Sequence, residues 1–246
     1  ILSRKFHQQE KKIYSRVAWL SHTNSERMRL FLADNAGIRI PNIRILPNYP
    51  PRNWLGRQEQ SRASGPLKLV YAGALSLQTM YTREIFDWVH QQNGKVTLDL
   101  YSYNMQADVR EYMEKLASPF IRVHVGVDYF SLPAIFKNYD IGVIIYKGTT
   151  ANYIHNAPNK LFEYLACGLD TWFPAAMTGC LTYKRSNVYP KVIPVHFDQL
   201  YTLDYQSLTD RTGLNYQSPE YFADIVLGSL TDRLLDHPMQ KPQMIA

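Results

Sequence analysis

Two cysteines, Cys167 and Cys180, are too few to frame a chain of 246 residues with disulfides. Stability must therefore come from a packed core, and a reducing compartment is the expected setting. No apolar run is long enough to cross a bilayer, and no cleavable leader pattern is visible. Together these absences lead to the expectation of a cytoplasmic protein. No Asp-x-Asp pair stands near a strand end and no His/Cys cluster has ligand spacing, so neither a metal site nor a cofactor is expected. Internal repeats and low-complexity tracts are also missing. The net charge of +6 is spread along the chain rather than blocked. That argues against a nucleic-acid partner and permits peripheral contact with an anionic membrane surface. The densest early cluster, Arg4-Lys5 with Lys11-Lys12, reads as a solvated helix face. Ile1 is not an initiator methionine and the sequence opens in a helical pattern, so the chain reads as part of something longer.

What is present is an ordinary globular balance, 46 % hydrophobic and 20 % charged, with eighteen tyrosines. Such a tyrosine excess suits a surface that handles sugars or bases, and equally a compositional habit of the source. Residues 1–16 read as a polar helix anchored by Phe6, Ile13 and Tyr14. Val17–Ser21 reads as a short strand. Asn24-Ser25-Glu26 opens a helix with capping residues, which Gly37 closes, and Ile43–Leu46 reads as a second strand. Residues 52–66 are polar and end at Gly65-Pro66, the composition of a linker. Beyond it, strands at Leu67–Ala72, Val96–Tyr101, Ile121–Val125, Ile141–Tyr146, Thr171–Pro174 and Val192–Phe197 alternate with helices at Thr82–Gln92, Ala107–Ala117 and Ser131–Asn138. That alternation predicts an α/β fold: a Rossmann-like parallel sheet flanked by helices, with right-handed crossovers. Residues 216–237 close the chain as an amphipathic helix or helix pair carrying Phe222, Ile225, Val226, Leu230 and Leu234. The expected division is 1–51, a linker over 52–66, a Rossmann-like domain over 67–215, and C-terminal helices over 216–246. Ligands of such sheets sit beyond the carboxyl ends of the strands. The loops at Gly73, Tyr101–Asn104, Gly126 and Lys147–Asn156 are therefore expected on one rim.

The segment Asn156–Leu169 carries the most chemistry. A helix beginning at Pro158 places a proline where its missing N–H costs nothing. The free N–H groups of the first turn then point toward whatever anion sits there. Lys160 adds a cation near that start, Glu163 lies about one and a half turns further in, and Gly168 ends the helix. A diphosphate at the helix start and a hydroxyl-rich group at the carboxylate would match this layout, and a nucleotide-sugar has both.

Three blocks together resemble a retaining glycosyltransferase of the two-domain GT-B type, similar to the large GT4-like group. They are Ser21–Arg27 running on to Ile45-Leu46-Pro47-Asn48, then Leu69–Leu75, then Pro158–Leu169, which is similar to that group's N-K-L-x-E-Y-x-A-x-G helix. The resemblance covers residues 14–175 and implies that 1–51 is a remnant of an acceptor-side first domain and 67–215 the donor domain. It implies that Glu163 binds the nucleotide ribose, that Lys160 and the helix start lie near the diphosphate, that Asn156 and Asn159 are among the donor-binding residues, and that Gly73 lets the backbone approach the donor phosphates. It further implies a phosphate contact from Arg83 and a border to the base at Gly126. The implied partners are a nucleotide diphosphate sugar donor and a glycan or lipid-linked acceptor, and the implied transfer is metal-independent; no catalytic residue is assigned. The chain departs from the group at His155, where a second acid usually stands eight residues before Glu163, at Asp170, where proline is usual, and at Tyr101–Asn104, which lacks glycine. Two other readings stay open: a non-catalytic nucleotide-sugar-binding subunit, and an isomerase of the nucleotide-sugar 2-epimerase type. This chain alone is expected to be inactive toward an acceptor.

Overall fold

The computed structural model describes residues 2–17, 19–39, 42–56 and 65–236. The middle of the expected linker, 57–64, lies outside the described residues, as do Ala18 of the expected first strand and everything from position 237. The chain forms two compact units, one of residues 1–53 with 220–246 and one of 54–219.

The first unit holds α1 (Leu2–Ile13), β1 (Leu20–His22), α2 (Ser25–Asp34) and β2 (Ile43–Ile45). α2 starts where the Asn24 side chain accepts the Arg27 N–H at 2.8 Å, the expected cap. β1 and β2 pair in parallel, Leu20 opposite Ile43. α1 meets α2 through polar contacts, His7 and Lys11 each 3.1 Å from Asp34. The expected anchors Phe6 and Ile13 therefore remain exposed, whereas Tyr14 packs edge-on against Phe31 at 5.1 Å.

The second unit contains β3 (Leu67–Ala72), α3 (Thr82–Gln91), β4 (Val96–Ser102), α4 (Ala107–Leu116), β5 (Ile121–Val125), α5 (Leu132–Phe136), β6 (Ile141–Val143), α6 (Ala151–Ile154), α7 (Asn159–Ala166), β7 (Asp170–Pro174), α8 (Thr178–Leu181), β8 (Val188–Tyr189), β9 (Val192–Val195), α9 (Tyr205–Thr209) and β10 (Asn215–Tyr216). Six strands form a parallel sheet in the order β5-β4-β3-β6-β7-β9. The order reverses direction at the β3–β6 junction, so a crevice opens beyond the carboxyl ends of the strands. Leu67, Leu69, Tyr71, Val96, Leu98, Leu100, Ile141 and Val143 are all fully buried between the helical layers, as continuous apolar strands of a parallel sheet should be. The helix α10 (Ala223–Asp236) belongs to the first unit, where its Asp224 accepts the Arg52 N–H at 2.7 Å.

Three local expectations change. The apolar run Ile141–Tyr146 pairs as a strand only to Val143, although Ile144 still donates to the Trp172 carbonyl at 2.8 Å and Ile145 stays buried. Within Lys147–Asn156 the Thr150 hydroxyl caps a one-turn helix, α6, at the Tyr153 N–H. Ser131–Asn138 is a 3₁₀ turn at Tyr129–Ser131 followed by the shorter α5.

Candidate functional site

The expected helix forms as α7, with Pro158 just outside its first turn and Gly168, at φ +82°, just past its end. Residues 161–170 are buried without interruption. Burying Leu161, Phe162, Tyr164 and Leu165 stabilises the docked helix by roughly 1.5–3 kcal/mol each. The close seat depends on Gly142 of β6, where an added Cβ would lie 2.1 Å from the Tyr164 ring. Tyr164 reaches through to the neighbouring strand, and its hydroxyl accepts the Ala72 N–H at 3.4 Å. The helix is thus fixed through Tyr164 over β6 and β3.

At those exits lies a cavity of about 340 Å³, lined by Gly73, Tyr101, Tyr103, Asn104, Gly126, Asp128, Tyr129, Asn159, Lys160 and Glu163. Gly73 has φ +148°, a conformation side chains rarely adopt. A Cβ there would stand 2.9 Å from Lys160 Nζ, so the ammonium rests against the glycine loop. The same ammonium lies 5.6 Å over the Tyr71 ring. Glu163 is 3 % exposed. Its Oε1 accepts from Asn159 Nδ2 at 2.6 Å, and Tyr129 lines the same cavity beside it. Burial raises the Glu163 carboxyl above the ordinary range; Lys160, Asn159 and Tyr129 pull it back only in part.

The wall toward β5 is held by a second buried carboxylate. Asp99 takes Arg122 Nε at 2.9 Å, Arg122 Nη2 at 2.7 Å and His124 Nε2 at 2.5 Å. Burial would raise this carboxyl, but these cationic partners prevail and hold it below the ordinary range. His124 in turn stacks on Tyr101 at 4.6 Å, and the Tyr101 hydroxyl bonds to that of Tyr139 at 2.9 Å. The Tyr101 ring in the cavity wall is therefore locked from behind. Tyr103 covers Gly126 so closely that a Cβ on the glycine would meet the ring at 2.4 Å.

Of the positions singled out from the sequence, Gly73, Gly126, Asn159, Lys160 and Glu163 line this one cavity. Arg83 and Asn156 do not. Arg83 lies on α3 with its guanidinium 4.2 Å over the Tyr112 ring. Asn156 turns its carbonyl to the Cys180 thiol at 3.4 Å, and a Cβ on Gly179 would collide with the backbone of His155 and Asn156. The loop Lys147–Asn156 thus packs against α8 instead of joining the rim at the cavity. Tyr129 and Tyr103 were not singled out from the sequence. Both follow a strand by only a few residues, which places them on the rim once the sheet is known.

A larger open groove of about 1240 Å³ lies at the opposite end of the strands, lined by Asn93–Lys95 and residues 205, 206 and 209–215. Two of its charged groups, Asp210 and Arg211, are already engaged. Asp210 accepts from both the N–H and the hydroxyl of Thr212, and Arg211 is 3.1 Å from Asp170. The smaller cavity is the better candidate, because its carboxylate and ammonium face open space at the strand exits.

Among the described residues, no group of three His, Cys, Asp or Glu side chains converges as a metal site. None of the described helices is long and apolar enough to cross a membrane.

No protein-family model matches the chain, and no curated protein matches it. Solved structures do. HepE from Anabaena, in complex with UDP-glucose, superposes with a TM-score of 0.64 at 12 % identity over 96 % of this chain and 70 % of HepE. A point mutant of TarM from S. aureus, in complex with fondaparinux, alpha-GlcNAc-glycerol and UDP, gives 0.54 at 10 % identity over 96 % of this chain and 44 % of TarM. The lipopolysaccharide outer core galactosyltransferase WaaB, in apo form, gives 0.55 at 14 % identity over 88 % of this chain and 61 % of WaaB. At these identities the likeness is one of fold: the Rossmann-like architecture of GT-B glycosyltransferases. The chain spans less than two thirds of the length of TarM and of WaaB.

Proposed function

We propose that the cavity beside α7 binds a nucleoside diphosphate sugar, and that the protein belongs to a glycosyltransferase of the GT4-like group acting on a glycan or lipid-linked acceptor. The observation that carries this reading is the pairing of a buried, incompletely satisfied carboxylate, Glu163, with an ammonium, Lys160, seated on the Gly73 loop. A ribose diol donates to the first while the diphosphate takes the second. Negative charge grows on the departing diphosphate during transfer, and a preorganised cation and backbone dipoles lower that barrier. The neighbour TarM was solved with UDP and HepE with UDP-glucose, which supports the same ligand class here. Arg83, in the first turn of α3, and Asn156 remain proposed donor contacts through local rearrangement. The basic surface suits a cytoplasmic protein working at a membrane face.

Calorimetric titration with UDP-glucose and GDP-glucose tests the reading. The chain should bind one of them, and Glu163→Ala should weaken binding by about ten- to hundredfold, the worth of a charge-assisted hydrogen bond of roughly 1.5–3 kcal/mol. Unchanged affinity in the variant removes Glu163 from the site. A second reading, a non-catalytic nucleotide-sugar-binding subunit, is favoured by His155, which stands where an acid is expected and outside the cavity lining. Binding without sugar transfer or donor hydrolysis by the full-length protein would select it.

A further inference from the structure

Glu163 cannot choose its own orientation. A carboxylate that must accept from a vicinal diol needs its lone pairs aimed into the cavity, and a side chain with three rotatable bonds does this only when other groups fix it. Asn159 fixes one oxygen from within α7, four residues back. The remaining restraint comes from another part of the chain. Tyr129 sits in the turn after β5, where Asp128 caps the turn by accepting the Phe130 N–H at 2.8 Å. Tyr129 lines the same cavity as Glu163, close enough that each group shifts the titration of the other. Its ring is backed by Trp54, with ring centroids 4.6 Å apart. Trp54 is 3 % exposed. It is anchored to the C-terminal end of α7, its carbonyl accepting from the Cys167 thiol at 4.0 Å while the Gly56 N–H donates to the Ala166 carbonyl at 2.9 Å. The segment Trp54–Gly56 thus clasps the end of the helix that carries Glu163 and backs the tyrosine that shares its cavity.

We propose that Tyr129, braced by Trp54, is a positioning residue for donor binding: it holds the Glu163 carboxylate in the orientation that accepts the ribose hydroxyls. The inference rests on the reading of Glu163 as the ribose-binding group. Asn159 takes one of its roughly four acceptor positions, Tyr129 stands beside the carboxylate, and Glu163 lines the cavity with the rest. The groups that face Glu163 are Lys160, Tyr164 and Cys167 on its own helix and Tyr129 on the opposing turn, with Asp128 lining the same cavity. The Cys167 thiol is pushed up to about 12 by burial and by Glu163, so on the acid side Glu163 is the group whose charge Tyr129 supports.

The test is a double-mutant cycle on the full chain with Tyr129→Phe and Glu163→Gln, read by calorimetric affinity for whichever of UDP-glucose and GDP-glucose binds more tightly, across an acid-to-alkaline pH series. Both probes are diphosphate diesters, so the charge on the diphosphate stays constant through the series, and the alkaline end is kept below the ionisation of the base. Tyr129→Phe keeps the ring against Trp54 and removes only the hydroxyl. It should weaken binding by about fivefold or more at neutral pH and move the acid-side loss of affinity to higher pH, so that the deficit narrows in alkali. Glu163→Gln should weaken binding and flatten the acid limb. The double variant should bind no more weakly than Glu163→Gln alone, because the tyrosine acts through the carboxylate. Additive losses, or an acid limb unmoved by Tyr129→Phe while Glu163→Gln still weakens binding, overturn the role of Tyr129 and leave the site reading standing. An unaffected Glu163→Gln variant, or a wild-type chain that binds neither probe, overturns the site reading itself.

Discussion

Glu163 and Asp170 stand seven residues apart, each almost wholly buried, and they serve opposite ends of the same sheet. Asp170, at the start of β7, has both oxygens taken. Oδ1 accepts the Lys191 N–H at 2.6 Å and stands 3.1 Å from Arg211 Nη2, while Oδ2 accepts Arg211 Nε at 3.2 Å. Glu163 has one amide, one phenol and a cavity. Burial raises both carboxyls above the ordinary range, so a perturbed titration does not by itself separate them. Saturation does. A buried carboxylate with its acceptor positions filled by the protein is structural, and one whose free positions face open space is waiting for a ligand.

The largest effect expected from breaking this contrast is at Asp170. Asp170→Ala leaves Arg211 and the Lys191 N–H without their partner. Removing one member of a buried pair costs on the order of 3–5 kcal/mol. Denaturant unfolding should show that loss, while the affinity of the folded fraction for UDP-glucose or GDP-glucose stays as in the wild type. A large change in affinity with unchanged stability would reverse the roles assigned to the two ends.

Glu163→Gln should do the opposite. The folded carboxyl titrates above its unfolded value, so the ionised form is the one that folding disfavours. That cost is fully present above the folded value and fades as pH falls through it toward the unfolded one. The neutral amide removes the cost at neutral pH. The ligand-free melting temperature of Glu163→Gln should therefore equal or exceed that of the wild type, while donor affinity falls by about ten- to hundredfold. A variant that melts as far below wild type as Asp170→Ala would mark Glu163 as a structural carboxylate.

The two carboxylates also differ in how far the sequence reveals them. β3 and β5 occupy the residues that periodicity assigns, and α3, α4 and α7 end within a residue or two of expectation, because apolar spacing and glycine punctuation are local signals. β6 is shorter than its apolar run because Ile144 and Ile145 are buried by packing without staying in the ladder. The cap that makes α6 is a single threonine hidden in a polar stretch. At the cavity, Gly73, Asn159, Lys160 and Glu163 stand out in sequence through their spacing in and around a helix start. Tyr129 and Trp54 do not. Their meaning comes from a contact between positions 75 residues apart (129 − 54), with Glu163 another 34 on (163 − 129), and no local pattern encodes that. Trp54 even falls at the edge of a segment whose composition reads as linker.

A smaller effect is expected at Lys160. Its ammonium touches the Gly73 loop at the edge of the cavity, near the start of α7, where cation and helix dipole act on the same anion. Lys160→Ala should weaken binding of a nucleoside diphosphate several-fold, from roughly 0.3–1 kcal/mol of partly screened attraction, and weaken the bare nucleoside much less. Raising the salt should shrink the difference. Equal losses for nucleoside and diphosphate would mean that Lys160 acts by shaping the Gly73 loop.

The smallest expected effect is none. If Lys160 and the helix start supply the counter-charge for the diphosphate, a divalent ion has no place to fill. Among the described residues no three acidic, histidine or cysteine side chains converge, and the other carboxylates around the cavity are committed elsewhere. Asp99 is engaged by Arg122 and His124 and Asp128 caps its own turn, which leaves Glu163 as the carboxylate open to the cavity. A divalent ion held by protein needs several oxygens on one side of it, and here one uncommitted carboxylate alone faces the cavity. EDTA should therefore leave the affinity for UDP-glucose or GDP-glucose unchanged, and added magnesium should not raise it. Loss of binding in EDTA with recovery in magnesium would show that the anion is neutralised by an ion. The contrast between a filled carboxylate at one end of the sheet and a ligand-ready one at the other would then have to be redrawn around that ion.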